Sequence, residues 1–182
     1  MTASEAKKLS KFLSLVLRHQ PETINLMLDD GGWADIGELI ATSKTKGIEL
    51  DTDKLHYLVE NNDKKRFSIS VDSTKIRANQ GHSIQVNLGL VAQEPPEHLF
   101  HGTATQNIDS IRAKGIVKGS RHHVHLSADQ ETVRKVGMRY GTPIVLRVDS
   151  EQMHKNGIEF YKSENGVWLT EHVAAEYIRF EG

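Results

Sequence analysis

Two adjacent prolines constrain this chain more than any other feature. In Ala92-Gln-Glu-Pro-Pro-Glu-His98 they fix an extended path, and the polar neighbours give that path nothing to bury. The apolar pattern changes across them, from helical spacing before to alternation after. This predicts two lobes, residues 1–92 and 99–182, joined by a linker over residues 93–98. A chain of 182 residues can supply each lobe with a modest core.

In the first lobe Leu9, Phe12, Leu13, Val16 and Leu17 recur at three- and four-residue steps, which predicts a helix from about Ala6 to His19, stopped by Pro21. Further helical patterns run from Asp35 to Lys46 and from Thr52 to Asn61, with Asp35 and either Asp51 or Thr52 as N-caps. Two alternating stretches, 66–70 and 75–78, flank the turn-forming Val71-Asp-Ser-Thr74 and read as a hairpin. Three small helices and then a hairpin is the order of a winged helix. In the second lobe, strands are predicted at 99–101, 124–127, 143–148, 158–161, 167–170 and 177–180, and helices at 107–114 and 129–139, an α+β lobe around a mixed or split sheet.

Composition narrows the chemistry. Hydrophobic residues make up 37% of the chain and charged residues 26%, as in a soluble globular protein, and no apolar run approaches a membrane span. The N-terminus lacks the apolar core of a signal peptide, so a cytoplasmic protein is expected. Cysteine is absent, which excludes disulfides and thiolate catalysis. A formal net charge of −1 argues against coating nucleic acid by bulk electrostatics, so any RNA would be held by a local basic surface.

Several segments could carry chemistry. Arg18 and His19 fall in the last turn of the first helix, where the negative end of the backbone dipole favours cations and raises an imidazole pKa. Simple helix capping would explain the same pair. Arg66 directly precedes a predicted strand that could aim it at Arg18. Asn79-Gln80-Gly81-His82-Ser83 form a loop able to turn several donors toward one anion, or an ordinary turn. His101-Gly102-Thr103 end a strand, where a glycine lets backbone approach a ligand closely. In Ser120-Arg-His-His-Val-His-Leu-Ser127, His123 and His125 share a strand face. Zinc is discounted there, because no cysteine exists and no carboxylate has third-ligand spacing, so no metal is expected. Arg121 suits an anionic ligand, since guanidinium presents a flat fork of donors.

Taken in order, Leu17-Arg18-His19, Asn62-Asp-Lys-Lys-Arg66-Phe67, Gln80-Gly-His-Ser83, His101-Gly-Thr103, Ser120 to Ser127 and Asn165-Gly-Val-Trp-Leu-Thr170 resemble the successive motifs of the RNA 2′-phosphotransferases, the tRNA-splicing phosphotransferase family. The resemblance runs from about Leu9 to Ile178. It implies a winged-helix RNA-binding lobe and an ADP-ribosyltransferase-like lobe with a split mixed β-sheet, and a reaction in the cleft between them. It also implies removal of an internal RNA 2′-phosphate in two steps with NAD as acceptor, releasing nicotinamide and ADP-ribose 1″,2″-cyclic phosphate.

By motif, the family's catalytic set falls on Arg18, His19, Arg66 and Arg121. Gln80, Gly81, His82 and Ser83 would hold the RNA phosphates. NAD would be held by His101, Gly102 and Thr103, with the Gly102 backbone at the nicotinamide amide, then by His125 and Ser127, with Arg139 at the pyrophosphate. His101, His125 and Val167 occupy the three strand positions by which ADP-ribosyltransferase folds are sorted. Val167 replaces the glutamate that many protein-modifying members use to activate an acceptor. No Rossmann glycine fingerprint is present, which agrees with NAD being consumed rather than cycled. A monomer is the expected form. Two other readings stay open: an ADP-ribosyltransferase acting on nucleic-acid terminal phosphates, and a non-catalytic winged-helix nucleic-acid binder.

Overall fold

The computed structural model describes residues 1–180 and divides the chain into two compact units, Met1–Gly89 and Leu90–Gly182. In the first, helix α1 (Ala3–Arg18) starts three residues before the expected point, because Thr2 Oγ1 accepts the Glu5 N–H. Helices α2 (Ile36–Thr45) and α3 (Thr52–Glu60) are capped by Asp35 and Asp51, whose carboxylates accept the Glu38 and Lys54 N–H groups at 2.8 Å each. A single Asp→Ala change at such a cap costs about 1 kcal/mol. Strands β2 (Phe67–Ile69) and β3 (Lys75–Ala78) form the expected hairpin. Its turn is tied by Asp72, whose carboxyl the Ser70 and Thr74 hydroxyls hold down to about 2. A two-residue strand, β1 (Ala34–Asp35), pairs with β3 and makes the sheet three-stranded, in the order β1-β3-β2. The apolar stripe of α1 (Leu9, Leu13, Val16, Leu17) packs with Leu39, Leu55, Phe67 and Ile76 as one core.

The second unit contains β4 (Leu99–Ala104), α4 (Ile108–Lys114), β5 (Ile116–Val117), β6 (Val124–Leu126), α5 (Gln130–Gly137), β7 (Pro143–Val148), α6 (Ser150–Lys155), β8 (Tyr161–Lys162), β9 (Trp168–Thr170), β10 (His172–Val173) and β11 (Ile178–Phe180). The ladders are β11-β7-β4, β6-β9-β8 and β10-β5. Every pairing is antiparallel among the described residues, so the expected mixture of strand directions does not form. Phe100 and Ser127 exchange backbone hydrogen bonds of 2.8 and 3.0 Å, which stitch the edge of β4 to the end of β6.

Two other expectations are corrected, and one helix carries no signal in the sequence. Residues 93–98, read as a linker, are bonded into the second unit. Gln93 N–H donates to Phe160 O, Ser150 Oγ donates to Pro96 O, and Glu151 N–H donates to Glu97 O, so the prolines cross a packed surface. The strand expected over 158–161 survives only at its end. Ile158 N–H goes to Met153 O, and the Glu159 and Phe160 carbonyls accept from Thr170 Oγ1 and Gln93, leaving no ladder until Tyr161. Helix α6 is illegible in the sequence because Met153 is its one buried apolar residue, and one residue defines no period.

Helix α5 lies on β4 at backbone distance. A Cβ on Gly102 would sit inside the Val133 carbonyl, and a Cβ on Gly137 would sit inside the Thr103 carbonyl. Gly102 is therefore a packing glycine on that face rather than one reserved for a ligand. Gly102→Ala should lower stability by about 1–3 kcal/mol, measured by urea unfolding. An unchanged midpoint would show that α5 moves away at no cost.

Candidate functional site

In the first unit three sequence motifs meet at the C-terminal end of α1. The last carbonyls of a helix lack partners within the helix. Here the Arg18 carbonyl accepts the backbone N–H groups of Ser83 at 2.9 Å and Ile84 at 3.4 Å. The Ser83 side chain then meets His19, with Oγ 2.8 Å from Nδ1. The Arg18 guanidinium is largely buried and stands 5.9 Å from the centroid of the Phe67 ring, at the start of β2. The motif at 80–83 is thus carried to the Arg-His pair by backbone bonds, and β2 supplies the aromatic floor beneath Arg18.

Arg66 is half-buried one residue before that floor. Its Nη1 lies 3.4 Å from Asn62 Oδ1, and its carbonyl accepts the Asn79 N–H at 2.9 Å. Asn79, read from the sequence as the first residue of the donor loop, is instead a support for it. It is buried, donates from Nδ2 to Lys65 O at 2.7 Å, and accepts from Ser68 Oγ at 2.8 Å. It therefore pins the loop that leads into Arg66. Burial rather than residue type reveals that role. Gly81 has φ +85°, and His82 is buried, with its Nε2 close to Gly32. Gln80 is half-buried and keeps its Oε1 covered without a hydrogen-bond partner.

In the second unit His101 Nδ1 is 3.1 Å from the His125 carbonyl. A carbonyl only accepts, so Nδ1 carries the proton and Nε2 is left as an acceptor. Burial holds the His101 imidazole below the ordinary histidine range, against the raising effect of that carbonyl. Arg121 Nη1 is 3.1 Å from His125 Nδ1, and a guanidinium only donates, so the His125 proton sits on Nε2. Arg121 is exposed at the entry to β6.

Thr103 shares a strand face with His101, is buried, and accepts from Asn107 Nδ2 at 3.1 Å. Phe100 directs its N–H and C=O away from β7 to Ser127, and the two-residue period of the ladder sends the N–H and C=O of Gly102 off the same edge. Ser127 uses its Oγ to accept the Asp129 N–H at 3.0 Å, in the turn that opens α5. Arg139 is exposed, just past the C-terminal end of α5.

His123 does not join His125 in a cluster. Its ring is tilted 5.6 Å from that of Tyr161, and burial lowers its pKa. Among the described residues no three His, Asp or Glu side chains gather in a way that could hold a metal ion. Likewise, no helix among them is long and apolar enough to cross a membrane.

Most of the chain matches a known family. Residues 4–172 match the family model described as RNA 2'-phosphotransferase, Tpt1 / KptA family. A protein of Flavobacterium johnsoniae is 55% identical over 181 residues, covering 100% of both chains. One from Burkholderia lata is 51% identical over 98% of this chain and 93% of its own, and one from Pseudomonas aeruginosa is 55% identical over 93% and 94%. All three carry the name "Probable RNA 2'-phosphotransferase". With the family model spanning both units and half the residues shared along the whole length, this chain belongs to the RNA 2′-phosphotransferase family.

Proposed function

We propose that this enzyme is an NAD-dependent RNA 2′-phosphotransferase that removes an internal RNA 2′-phosphate in two steps and releases 2′-hydroxyl RNA, nicotinamide and ADP-ribose 1″,2″-cyclic phosphate. The observation that carries this reading is the convergence at Ser83, whose N–H and hydroxyl engage Arg18 and His19 together. A phosphate needs several convergent donors, and separate stretches of chain supply them here.

In the first step an oxygen of the RNA 2′-phosphate attacks the ribose C1″ of NAD, and the bond to nicotinamide breaks. The nucleophile is already anionic, so no protein group needs to deprotonate it. Arg18, His19 and Arg66 orient the phosphate, and Arg121 is the remaining guanidinium of the proposed set. In the second step the ribose 2″-hydroxyl attacks phosphorus and the RNA 2′-oxygen leaves. Negative charge then concentrates on the other phosphate oxygens, where guanidiniums stabilise the transition state more than the ground state. A proton passes from the entering hydroxyl to the leaving one, and His19 is the titratable group beside Arg18 for that task.

The fit for NAD rests on three features. His101 Nε2 is an acceptor for a ribose hydroxyl. The N–H and C=O of Gly102, aimed off the open edge of β4, match the acceptor and donor of a carboxamide. Arg121 and Arg139 are exposed cations suited to phosphates. The three helices and small sheet of the first unit support a winged-helix lobe for RNA. The separate antiparallel ladders of the second, with His101 on β4, His125 on β6 and Val167 beside β9, support an ADP-ribosyltransferase-like lobe. No carboxylate stands at Val167 to activate a neutral acceptor, which favours a substrate that arrives as an anion. The cytoplasm is the proposed compartment, a monomer the proposed form, and no metal takes part.

Arg66→Ala and Arg121→Ala should each cost about 2–4 kcal/mol of transition-state stabilisation, read as kcat on an RNA bearing one internal 2′-phosphate. Near-native turnover would remove that arginine from the set. His19→Ala should slow the second step more than the first, so ADP-ribosylated RNA accumulates in a single turnover; uniform slowing without that species would assign His19 to binding alone.

Because burial lowers the His101 pKa, the unfolded chain takes up that proton first as the pH falls. Stability is therefore complete above about pH 6.5 and declines below it. NAD affinity follows the same sign, because a protonated Nε2 no longer accepts. The KM for NAD should be flat from neutral pH upward and rise in acid, and a rise toward alkaline pH instead would contradict the assignment.

A further inference from the structure

We propose that the solvent face of α1 is the track along which RNA runs away from the 2′-phosphate, with Lys7, Lys8 and Lys11 contacting successive backbone phosphates. The proposal rests on the functional reading above and extends it to residues outside the phosphate site.

Ser4, Lys7, Lys8, Lys11 and Leu15 recur at i, i+3, i+4, i+7 and i+11, which places them on one face, and all five are exposed. The opposite face carries Leu9, Leu13, Val16 and Leu17 into the core. The stripe ends at Arg18 and His19. At a rise of about 1.5 Å per residue, Lys11 stands roughly 12 Å and Lys7 roughly 18 Å along the axis from His19, a few nucleotides of single strand.

The charge of this face is uncompensated. Glu5 is the only acidic residue of α1, and it is committed to Lys54 of α3 at 3.1 Å. Four further lysines outside α1 are held by carboxylates: Lys75 by Asp29, Lys118 by Glu171, Lys135 by Glu131 and Lys155 by Glu151. Lys7 and Lys11 are instead like charges at i and i+4, an arrangement that weakens a helix. In a chain whose formal net charge is −1, three cations gathered on one face against local helix stability mark a binding surface for a polyanion.

The third helix offers no alternative. Its lysine is the one bound to Glu5, and its other charges are Asp53 and Glu60, both exposed, so α3 would repel a phosphate backbone. The occupant that fits is therefore single-stranded RNA flanking the 2′-phosphate.

The test is fluorescence anisotropy with a labelled RNA of about twelve nucleotides carrying one internal 2′-phosphate, titrated across salt concentrations without NAD. The triple variant Lys7→Ala/Lys8→Ala/Lys11→Ala should keep its helix, because alanine is the stronger helix former. It should bind about tenfold more weakly, and the slope of log affinity against log salt should shrink by about 2, from about 0.7 per lost single-strand contact. Lys44→Ala/Lys46→Ala, exposed at the end of α2, is the comparison and should leave both quantities unchanged. Native affinity and slope in the triple variant, or an equal loss in the comparison variant, would overturn the track. NAD-dependent turnover of the same RNA judges the functional reading separately. Lysine-dependent binding with no turnover keeps the track and rejects the chemistry, whereas turnover with lysine-independent binding does the reverse.

Discussion

The first unit depends on how the end of one helix is satisfied. Helix α1 finishes with carbonyls that no residue of its own can pair, and residues 83 and 84 return to meet the one at Arg18. That backbone requirement has a chemical consequence. Bringing Ser83 to the Arg18 carbonyl also brings its hydroxyl to His19, so folding and assembly of the proposed phosphate site are one event. Phe67, buried in the core and lying under the Arg18 guanidinium, fixes the other side of the same cation. A guanidinium held by packing needs little reorganisation when a phosphate arrives, which is the condition for electrostatic catalysis.

The second unit uses close backbone packing in place of a capped helix end. Gly102 and Gly137 let α5 and β4 approach so nearly that a methyl group at either would collide with a carbonyl. With one face of β4 sealed by α5, His101 and Thr103 occupy the other, and the His125 carbonyl fixes the tautomer of His101. Rigid support of this kind presents an acceptor nitrogen and an open strand edge in fixed register. That support is what the proposed reading asks of a site for a consumed dinucleotide.

Much of this was legible in the sequence, for identifiable reasons. The N-caps Asp35 and Asp51, the apolar stripe of α1 and the bounds of β3 and β7 follow from local patterns that the tertiary structure keeps. Strands β1, β5 and β10 are two residues each, too short for any alternation to register, and exist only through their partners. The prolines at 95 and 96 lie outside any helix or strand, and nothing local showed that this backbone would be bonded to the second unit. Gly102 was singled out for approach to a ligand, yet its missing side chain serves α5. The ligand argument survives only for its N–H and C=O, which leave by the edge rather than by the face. Asn79 shows the same limit, since it reads in sequence as one donor of the loop, and only burial and its bonds to Lys65 and Ser68 distinguish a structural amide from a loop residue.

The central claim is that the phosphate departs on the nucleotide rather than into water. It is tested most directly by incubating the full chain with NAD and an RNA carrying one internal 2′-phosphate, then weighing both the RNA and the small-molecule products. The account predicts RNA lighter by one phosphate, one nicotinamide released per phosphate lost, and ADP-ribose cyclic phosphate in equal amount. Dephosphorylated RNA with inorganic phosphate and intact NAD would contradict it, and ADP-ribosylated RNA that persists would assign the chain to end-point ADP-ribosylation instead.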